Sequence, residues 1–258
     1  MAELLPELLA VRGVSVRFGG VQALTEVDLT ARAGDITSVI GPNGAGKTTL
    51  LGVINGAVTP LGGSVRLDGA DLSGRPIFER AAAGVVRTFQ NLEIFSNMTV
   101  LENVMTGGHL HAGYTLLDSL LRTPRFRREE KRLAALCREK LDFVGLAHKA
   151  HLPAADLPYG EQRLLEIARA IAVEPKLLLL DEPAAGMNNK ETQQLGAIIR
   201  RIRGELSIGV VLVEHDMELV MDVSDRITVL NFGRILAEGT PREIQDNPEV
   251  VAAYLGED

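Results

Sequence analysis

Apolar and polar positions along the chain form two strand patterns. Residues 11–18 and 27–31 alternate apolar and polar side chains, which predicts early antiparallel strands with one covered face. Residues 36–40, 177–181 and 208–213 are instead short, nearly continuous apolar runs. Runs of this kind are typical of parallel strands that are buried on both faces of a sheet. Further strands are predicted at 64–67 and 85–89, and a hairpin at the turn Asn231-Phe232-Gly233, between 227–230 and 234–237.

Helical spacing dominates the middle of the chain. We predict helices over 48–55, 99–104, 129–144 and 161–173, and one between 181 and 208. Gly107, Gly108 and Gly113 are expected to loosen the chain after the second of these helices. The order of elements predicts a single α/β domain over 1–258 with a mostly parallel sheet and a small antiparallel β subdomain. The core lobe covers about 1–90 and 161–258, and a helical lobe covers about 91–160.

Composition narrows the classes of partner and compartment. The net charge is −7, with 27 basic and 34 acidic residues, so we expect no nucleic-acid partner. The single cysteine, Cys137, can form no intrachain disulfide, and its apolar neighbours favour packing in the core. No apolar run approaches the ~20 residues of a membrane span, and residues 1–10 lack the basic residues of a secretory signal. We therefore expect a soluble cytoplasmic protein that reaches any membrane through a partner.

A glycine-rich loop follows the apolar run 36–40 and precedes a helix. Its sequence fits G-x-x-x-x-G-K-[ST] at every fixed position, with Gly41, Pro42, Asn43, Gly44, Ala45, Gly46, Lys47 and Thr48. Glycines allow backbone N–H groups to surround phosphate oxygens, and the helix offers its positive end. Lys47 would reach the β- and γ-phosphates, Thr48 would offer a hydroxyl to Mg²⁺, and Thr49 could add a phosphate contact. The motif predicts a P-loop NTPase core that binds a Mg-nucleotide.

Two acids follow the apolar run 177–180. Asp181, at the carboxyl end of a buried strand, could hold Mg²⁺ through water, and Glu182 could act as the general base for the attacking water. A guanine-specific protein would need N-K-x-D, whereas residues 189–192 read Asn-Lys-Glu-Thr. The sequence therefore predicts nucleotide hydrolysis without support for guanine specificity.

In order and spacing, these motifs and several others resemble the nucleotide-binding subunits of ABC transporters over nearly the full length. The resemblance implies that Phe18 stacks on adenine and that Gln90 senses Mg²⁺ and the γ-phosphate, as a catalytic and metal-binding residue. Residues 157–162 stand at the family signature, 185–188 form the dimer-contact loop, and His215 contacts the γ-phosphate. It further implies ATP and Mg²⁺ as cofactors, with ATP held between two head-to-tail subunits.

The signature departs from the family pattern. Pro158 stands where the family commonly has Ser, and Tyr159 where it has Gly; Asn188 replaces an Asp that many relatives carry. Pro158 has neither a hydroxyl nor an N–H, so it cannot make the serine's contact to the γ-phosphate across the dimer. The resemblance leaves Tyr159, Gly160 and Glu161, at the start of a helix, to meet the nucleotide.

Within the family, the chain most resembles the longer ATPase subunit of branched-chain amino-acid importers. The segments that carry this likeness are 116–131, 158–163, 165–170, 182–188, 214–217 and 253–256. It implies permease subunits in the membrane, a second ATPase subunit, identical or homologous, and indirectly a solute-binding protein. The chain would then sit peripherally on the cytoplasmic face of the inner or plasma membrane. Urea import, lipid export, a non-transport ABC ATPase and a module that holds ATP without hydrolysing it remain as alternatives.

A basic cluster lies within 122–132. Its members are Arg122, Arg125, Arg127, Arg128, Lys131 and Arg132. A solvated helix face accounts for such a cluster, and the alternative is contact with anionic lipid or with a permease loop.

Overall fold

Two sheets and a group of helices build the chain, which we describe from a computed structural model over residues 6–88, 93–111 and 113–255. The strands in these ranges are β1 (Glu7–Phe18), β2 (Val21–Arg32), β3 (Ile36–Ile40), β4 (Gly62–Leu67), β5 (Ala70–Asp71), β6 (Val85–Arg87), β7 (Leu177–Asp181), β8 (Gly209–Val213), β9 (Arg226–Asn231) and β10 (Arg234–Gly239). The α-helices are α1 (Lys47–Asn55), α2 (Ile77–Ala83), α3 (Val100–Gly108), α4 (Leu116–Leu120), α5 (Pro124–Phe143), α6 (Tyr159–Ile171), α7 (Asn189–Leu206), α8 (Met217–Val223), α9 (Pro241–Gln245) and α10 (Pro248–Leu255).

The smaller sheet is antiparallel, with strand order β2-β1-β4-β5. Its first two strands are longer than the alternation at 11–18 and 27–31 predicted. Register shifts interrupt the pairing of β1 with β2 at several points, for example between Val11 and Val14. Each bulge resets which face a side chain occupies, so the period-two pattern marks only part of each strand.

The larger sheet has the order β10-β9-β3-β8-β7-β6. All neighbouring pairs are parallel except β9 and β10, which form the predicted hairpin. Strand β3 lies at the centre, and the carboxyl ends of β3, β7 and β8 meet at one edge. The predicted α/β class, with a mostly parallel sheet and a small antiparallel one, is confirmed.

The apolar runs are buried on both faces, as predicted. Along β7, Leu178 and Leu180 pack into a core shared with helices α3, α5, α6 and α7. Leu177 and Leu179 point the opposite way, into a core shared with α1 and the smaller sheet. Since alternate side chains of a strand face opposite sides, a strand between two cores is apolar at most of its positions.

Two glycines of α3 have a role that the sequence prediction missed. Gly107 and Gly108 lie inside the helix and do not loosen the chain, so that prediction is wrong for both. A Cβ on Gly107 would lie 2.2 Å from the carbonyl oxygen of Arg169 in α6, and one on Gly108 would lie 2.6 Å from Cδ1 of Leu133 in α5. Glycine is required at position 107 because a side chain would clash with the backbone of α6, whereas a side chain at position 108 would displace Leu133.

The region between β6 and β7 is helical, with α3, α5 and α6 in mutual contact. Cys137 of α5 is fully buried among these helices, which confirms its predicted packing role. The division into two lobes at about 90 and 160 stays a prediction, and its first boundary falls at 89–92, outside the described residues. None of the helices in the described ranges combines the length and the apolar character that crossing a membrane requires.

Candidate active site

The loop between β3 and α1 is shaped by glycines that no other residue could replace. Gly41 has φ 147°, and a Cβ there would lie 2.0 Å from the carbonyl oxygen of Leu230. Gly46 has φ 106°, and its Cβ would lie 2.7 Å from the carbonyl oxygen of Ala23. A side chain at either position would be strained by the backbone angle and would clash with backbone atoms. The loop is therefore pressed closely against β2 and β9.

The start of α1 is open to an anion. Its N-cap is Gly46, which offers no side-chain acceptor to the first N–H groups of the helix. Lys47 is 5% exposed, and its Nζ donates to the carbonyl oxygens of Gly41 at 2.6 Å and Pro42 at 2.9 Å. Helix N–H groups without a side-chain cap, beside a buried ammonium, favour phosphate.

One cavity brings most of the predicted site together. Its volume is about 240 Å³, and its lining includes residues 43–49 of the loop and α1, residues 21–23 of β2, Glu182 and His215. The loop follows β3, Glu182 follows β7 and His215 follows β8. They meet because the carboxyl ends of these strands lie at one edge of the larger sheet. Ligand sites of parallel sheets commonly lie at this edge.

Glu182 and His215 are in direct contact. Oε1 of Glu182 lies 2.9 Å from Nε2 of His215. The two follow neighbouring parallel strands, β7 and β8, and the backbone N–H of Glu182 donates to Val213 O at 2.8 Å. Glu182 adopts φ 49°, a left-handed conformation that is costly for a non-glycine residue. That conformation places its carboxylate at the cavity that the glycine-rich loop also lines.

Asp181 is buried behind the cavity and paired with a residue that sequence reasoning missed. Its Oδ2 accepts from Nη2 of Arg87 at 2.6 Å, and its side chain is 1% exposed. Arg87 ends β6, the parallel neighbour of β7. The two residues are far apart in sequence and meet only because β6 pairs with β7. The one signal in the sequence is that Arg87, a charged residue, ends an apolar run.

The donor set around Asp181 fits Mg²⁺. In the part of the chain that the structure describes, Oδ1 of Asp181 is buried and accepts no hydrogen bond. A carboxylate oxygen without a hydrogen-bond donor suits a hard cation that keeps several waters and phosphate oxygens. A cluster of three or more His, Cys, Asp or Glu side chains is absent from the described ranges, so these residues form no all-protein metal cage.

Glu214 is a second residue that the sequence analysis did not single out. It is 4% exposed, and its carboxylate accepts from the backbone N–H groups of Ala184 at 2.6 Å, His215 at 2.9 Å and Asp216 at 3.3 Å. Burial raises the pKa of this carboxyl above its usual value, although the three N–H donors oppose the shift. The side chain ties the loop after β7 to the loop after β8, and so fixes Glu182 and His215 relative to each other.

Phe18 is a predicted residue that lies outside this cavity. Phe18 pairs with Val21 across the turn between β1 and β2 and is 53% exposed. It is not among the residues that line the cavity, whereas Val21, Gln22 and Ala23 are. Gln90 lies outside the described residues.

The signature residues lie elsewhere. Gly160 and Glu161 line a separate cavity of about 290 Å³ together with Pro158 and Asn188. Carboxylate oxygens of Glu161 accept from Lys149 Nζ at 2.7 and 2.5 Å.

Tyr159 belongs to the same surface but packs on a glycine. A Cβ on Gly186 would lie 3.0 Å from Cε1 of Tyr159. Within one chain the signature therefore does not complete the cavity that contains Glu182.

Comparison with known proteins places the chain in a family. Residues 24–185 match the family described as ABC transporter, and residues 234–258 match the branched-chain amino acid ATP-binding cassette transporter family. The chain is 47% identical over 250 residues to the high-affinity branched-chain amino acid transport ATP-binding protein BraF of Pseudomonas aeruginosa, which covers 97% of this chain and 98% of that protein. The corresponding protein LivG of Salmonella typhimurium matches with the same identity and coverage.

Solved structures agree. The ADP conformation of an ATP-binding cassette of an ABC transporter superposes with a TM-score of 0.85 at 32% identity, over 98% of this chain and all of that one. These matches confirm the resemblance and the fold predicted from the motifs. The chain belongs to the ABC transporter family and is one of its ATP-hydrolysing cassettes.

Proposed function

We propose that this cassette powers the import of branched-chain amino acids by hydrolysing Mg-ATP at the cavity lined by Lys47, Glu182 and His215. The observation that carries the catalytic part is the convergence of loop, acid and histidine on one cavity. The cargo rests on the relatives, whose names specify branched-chain amino acid transport and which match at 47% identity over nearly the whole chain. The match at 234–258 adds independent support.

The residues of the cavity divide the chemistry. Lys47 would exchange the carbonyl oxygens of Gly41 and Pro42 for phosphate oxygens, while N–H groups of the loop and α1 bind the rest of the triphosphate. Thr49 would add a hydroxyl contact, and Phe18 would stack on the adenine from the β1–β2 turn. Mg²⁺, held by Thr48 and through water by Asp181 and Gln90, would neutralise charge on the β- and γ-phosphates.

Glu182 is the proposed general base. As it accepts a proton from water, the water oxygen bonds to the γ-phosphorus and the bond from that phosphorus to the bridging oxygen breaks. ADP leaves with the electron pair of that bond. His215, 2.9 Å from Glu182, would orient the carboxylate and donate to the γ-phosphate.

A second cassette, identical or homologous, would complete the site. Gly160 and Glu161 line a cavity separate from the one that contains Glu182. This separation supports contact of Tyr159, Gly160 and Glu161 with ATP held by a partner. Closure of the pair around ATP and its opening after hydrolysis would drive permease subunits in the membrane. We place the chain peripherally on the cytoplasmic face, with a solute-binding protein acting indirectly through the permease and with no nucleic-acid partner.

Replacement of the base tests the catalytic proposal. Glu182→Gln keeps the shape but cannot accept the proton, so turnover should fall by about 10²–10⁴-fold while ATP binding persists. Glu139→Gln, an exposed change on α5, is the matched control and should leave turnover unchanged. Near-normal turnover in Glu182→Gln would overturn the assignment of the base.

The cargo and partners need a second measurement. The tagged Glu182→Gln protein, extracted in mild detergent with Mg-ATP, should retain two polytopic permease subunits and a second cassette. Reconstitution of that assembly with the wild-type chain should then give ATP-dependent uptake of leucine, isoleucine or valine. Uptake of urea or export of lipid instead would leave the ATPase assignment intact and would show that the proposed cargo is wrong.

A further inference from the structure

Four leucines of α4 and its C-cap form an exposed apolar face. The exposed fractions are 90% for Leu116, 69% for Leu117, 78% for Leu120 and 72% for Leu121. Because successive residues of a helix turn by about 100°, these four positions fall within an arc of about 140°. The remaining positions, Asp118 and Ser119, point to the other side. The segment is therefore amphipathic, with its apolar face turned to solvent.

This segment is held in place by specific contacts. Thr115 and Asp118 form a reciprocal capping box at the start of α4, and Thr123 Oγ1 donates to Asp118 Oδ1 at 2.9 Å. Just before α4, Tyr114 donates to Glu130 Oε1 of α5 at 2.7 Å and stacks edge-on against Phe126 at 4.9 Å. The polar side of α4 is thus used for attachment to α5, and the leucines are presented outward.

Basic residues frame the leucine face. Arg122 follows Leu121 directly, and Arg125 donates to the carbonyl oxygen of Gly113, just ahead of α4. Residues 122–132 contain six basic and two acidic residues in a chain whose net charge is −7. All six are exposed, and within the described ranges Arg122, Arg127, Arg128 and Lys131 form no ion pair.

We propose that the leucine face of α4 and the adjoining basic residues bind the surface of an anionic lipid bilayer. Side chains exposed by 69–90% protrude, and so cannot line a deep groove for a partner helix. A protruding aliphatic face bordered by arginines matches acyl chains below a layer of anionic headgroups. The contact would orient the helical region towards the membrane in which the permease lies.

The surface is separate from the ATP site. None of residues 113–132 lines the cavity that contains Lys47 and Glu182. Variants of α4 therefore leave basal ATP hydrolysis unchanged, and failure of the proposed cargo or catalytic base would not affect lipid binding. Because the substituted side chains are exposed, the variants also retain the fold, which their thermal unfolding should verify.

Vesicle flotation tests the proposal with the full chain. Phosphatidylcholine vesicles containing phosphatidylglycerol are compared with phosphatidylcholine alone, at low and high salt. The wild-type chain should partition onto the anionic vesicles, and salt should weaken this binding. Arg122→Gln/Arg127→Gln/Arg128→Gln should lower the partition coefficient by on the order of a hundredfold. Serine at all four leucines should lower it by about tenfold or more.

Matched controls change equally exposed residues elsewhere. Ile77→Ser/Phe78→Ser removes side chains that are 52% and 72% exposed on α2, and Arg66→Gln/Arg75→Gln removes two exposed arginines. Both should bind as the wild type does. Absence of wild-type binding, or equal losses in the controls, overturns the proposal. Unchanged vesicle binding of the leucine variant together with lost permease co-purification would assign the face to a protein contact instead.

Discussion

The buried pair of Arg87 and Asp181 gives the sharpest prediction about stability. Their side chains are 10% and 1% exposed, and the contact is 2.6 Å. Replacing Arg87 by Met keeps most of the side-chain volume but leaves a buried carboxylate without its cation. Breaking a buried pair from one side costs about 3–5 kcal/mol, because the remaining charge cannot be solvated. We expect Arg87→Met to lose about this much free energy of unfolding.

A double-mutant cycle separates charge from packing. Asp181→Asn removes the charge that Arg87→Met would strand, so the double variant should be more stable than Arg87→Met alone. Lys176→Met is the matched control, since the Lys176–Asp68 pair is 54% and 62% exposed and should contribute no more than about 1 kcal/mol. Urea unfolding without nucleotide, at one pH and salt concentration, gives the change in free energy of unfolding for the two single variants, the double variant and the control.

Mg-ATP adds an independent check on the same carboxylate. If Asp181 also faces Mg²⁺ through water, bound cation would partly compensate the stranded charge, so Mg-ATP should stabilise Arg87→Met more than it stabilises the wild type. The reasoning is refuted if Arg87→Met costs less than about 1 kcal/mol, or if Asp181→Asn makes it worse.

Three further predictions follow from the described contacts. Arg80→Met should cost about 2–4 kcal/mol in urea unfolding, because the 2% exposed guanidinium donates to Val53 O and Ile54 O at the end of α1, while Arg66→Met should cost little. Burial raises the pKa of Cys137 to about 11, so a thiol reagent should label it only after denaturation; fast labelling in native buffer would contradict its burial. Burial, and then the bond to Glu130, raise the pKa of Tyr114 from 10.0 to about 12, so its stabilising contribution should be complete below pH 10 and be lost as the pH rises towards 12. Tyr114→Phe should abolish that alkaline dependence in pH-resolved unfolding, and an unchanged profile would exclude Tyr114 as its source.

Features that a few consecutive residues determine could be predicted from the sequence. Residues 41–48 specify their own backbone shape, since Gly41 and Gly46 are needed for angles and approaches within the loop. The runs 177–180 and 208–213 reveal two-sided burial because they contain no polar side chain. The contact between Glu182 and His215 was not predicted, because it depends on β7 and β8 being neighbours in the sheet.

Features that depend on the order of strands in the sheet, or on how closely two helices pack, could not be predicted from the sequence. Arg87 meets Asp181 only because β6 pairs with β7, and the sequence of β6 does not name its neighbour. Gly107 and Gly108 match a flexible loop as well as they match a tight helix contact, and only the positions of α5 and α6 decide between them. Local propensity sets a weak prior, which tertiary contact overrides here.

The departures at Pro158 and Asn188 can now be judged by what each residue does in the fold. Asn188 caps α7, accepting from the N–H groups of Lys190 and Glu191 at 3.1 Å each, and an amide oxygen caps as well as a carboxylate does. Glu191 in turn completes the capping box and lies where a Cβ on Gly160 would be 2.6 Å from its Oε1. The start of α6 therefore packs closely on the Glu191 side chain of α7 at Gly160.

Pro158 is the N-cap of α6 and provides no side-chain acceptor, so the first N–H groups of that helix are not capped by it. In the proposed two-cassette site, Pro158 would remove one direct hydroxyl contact to a phosphate, while the N–H groups at the start of α6 carry no side-chain cap.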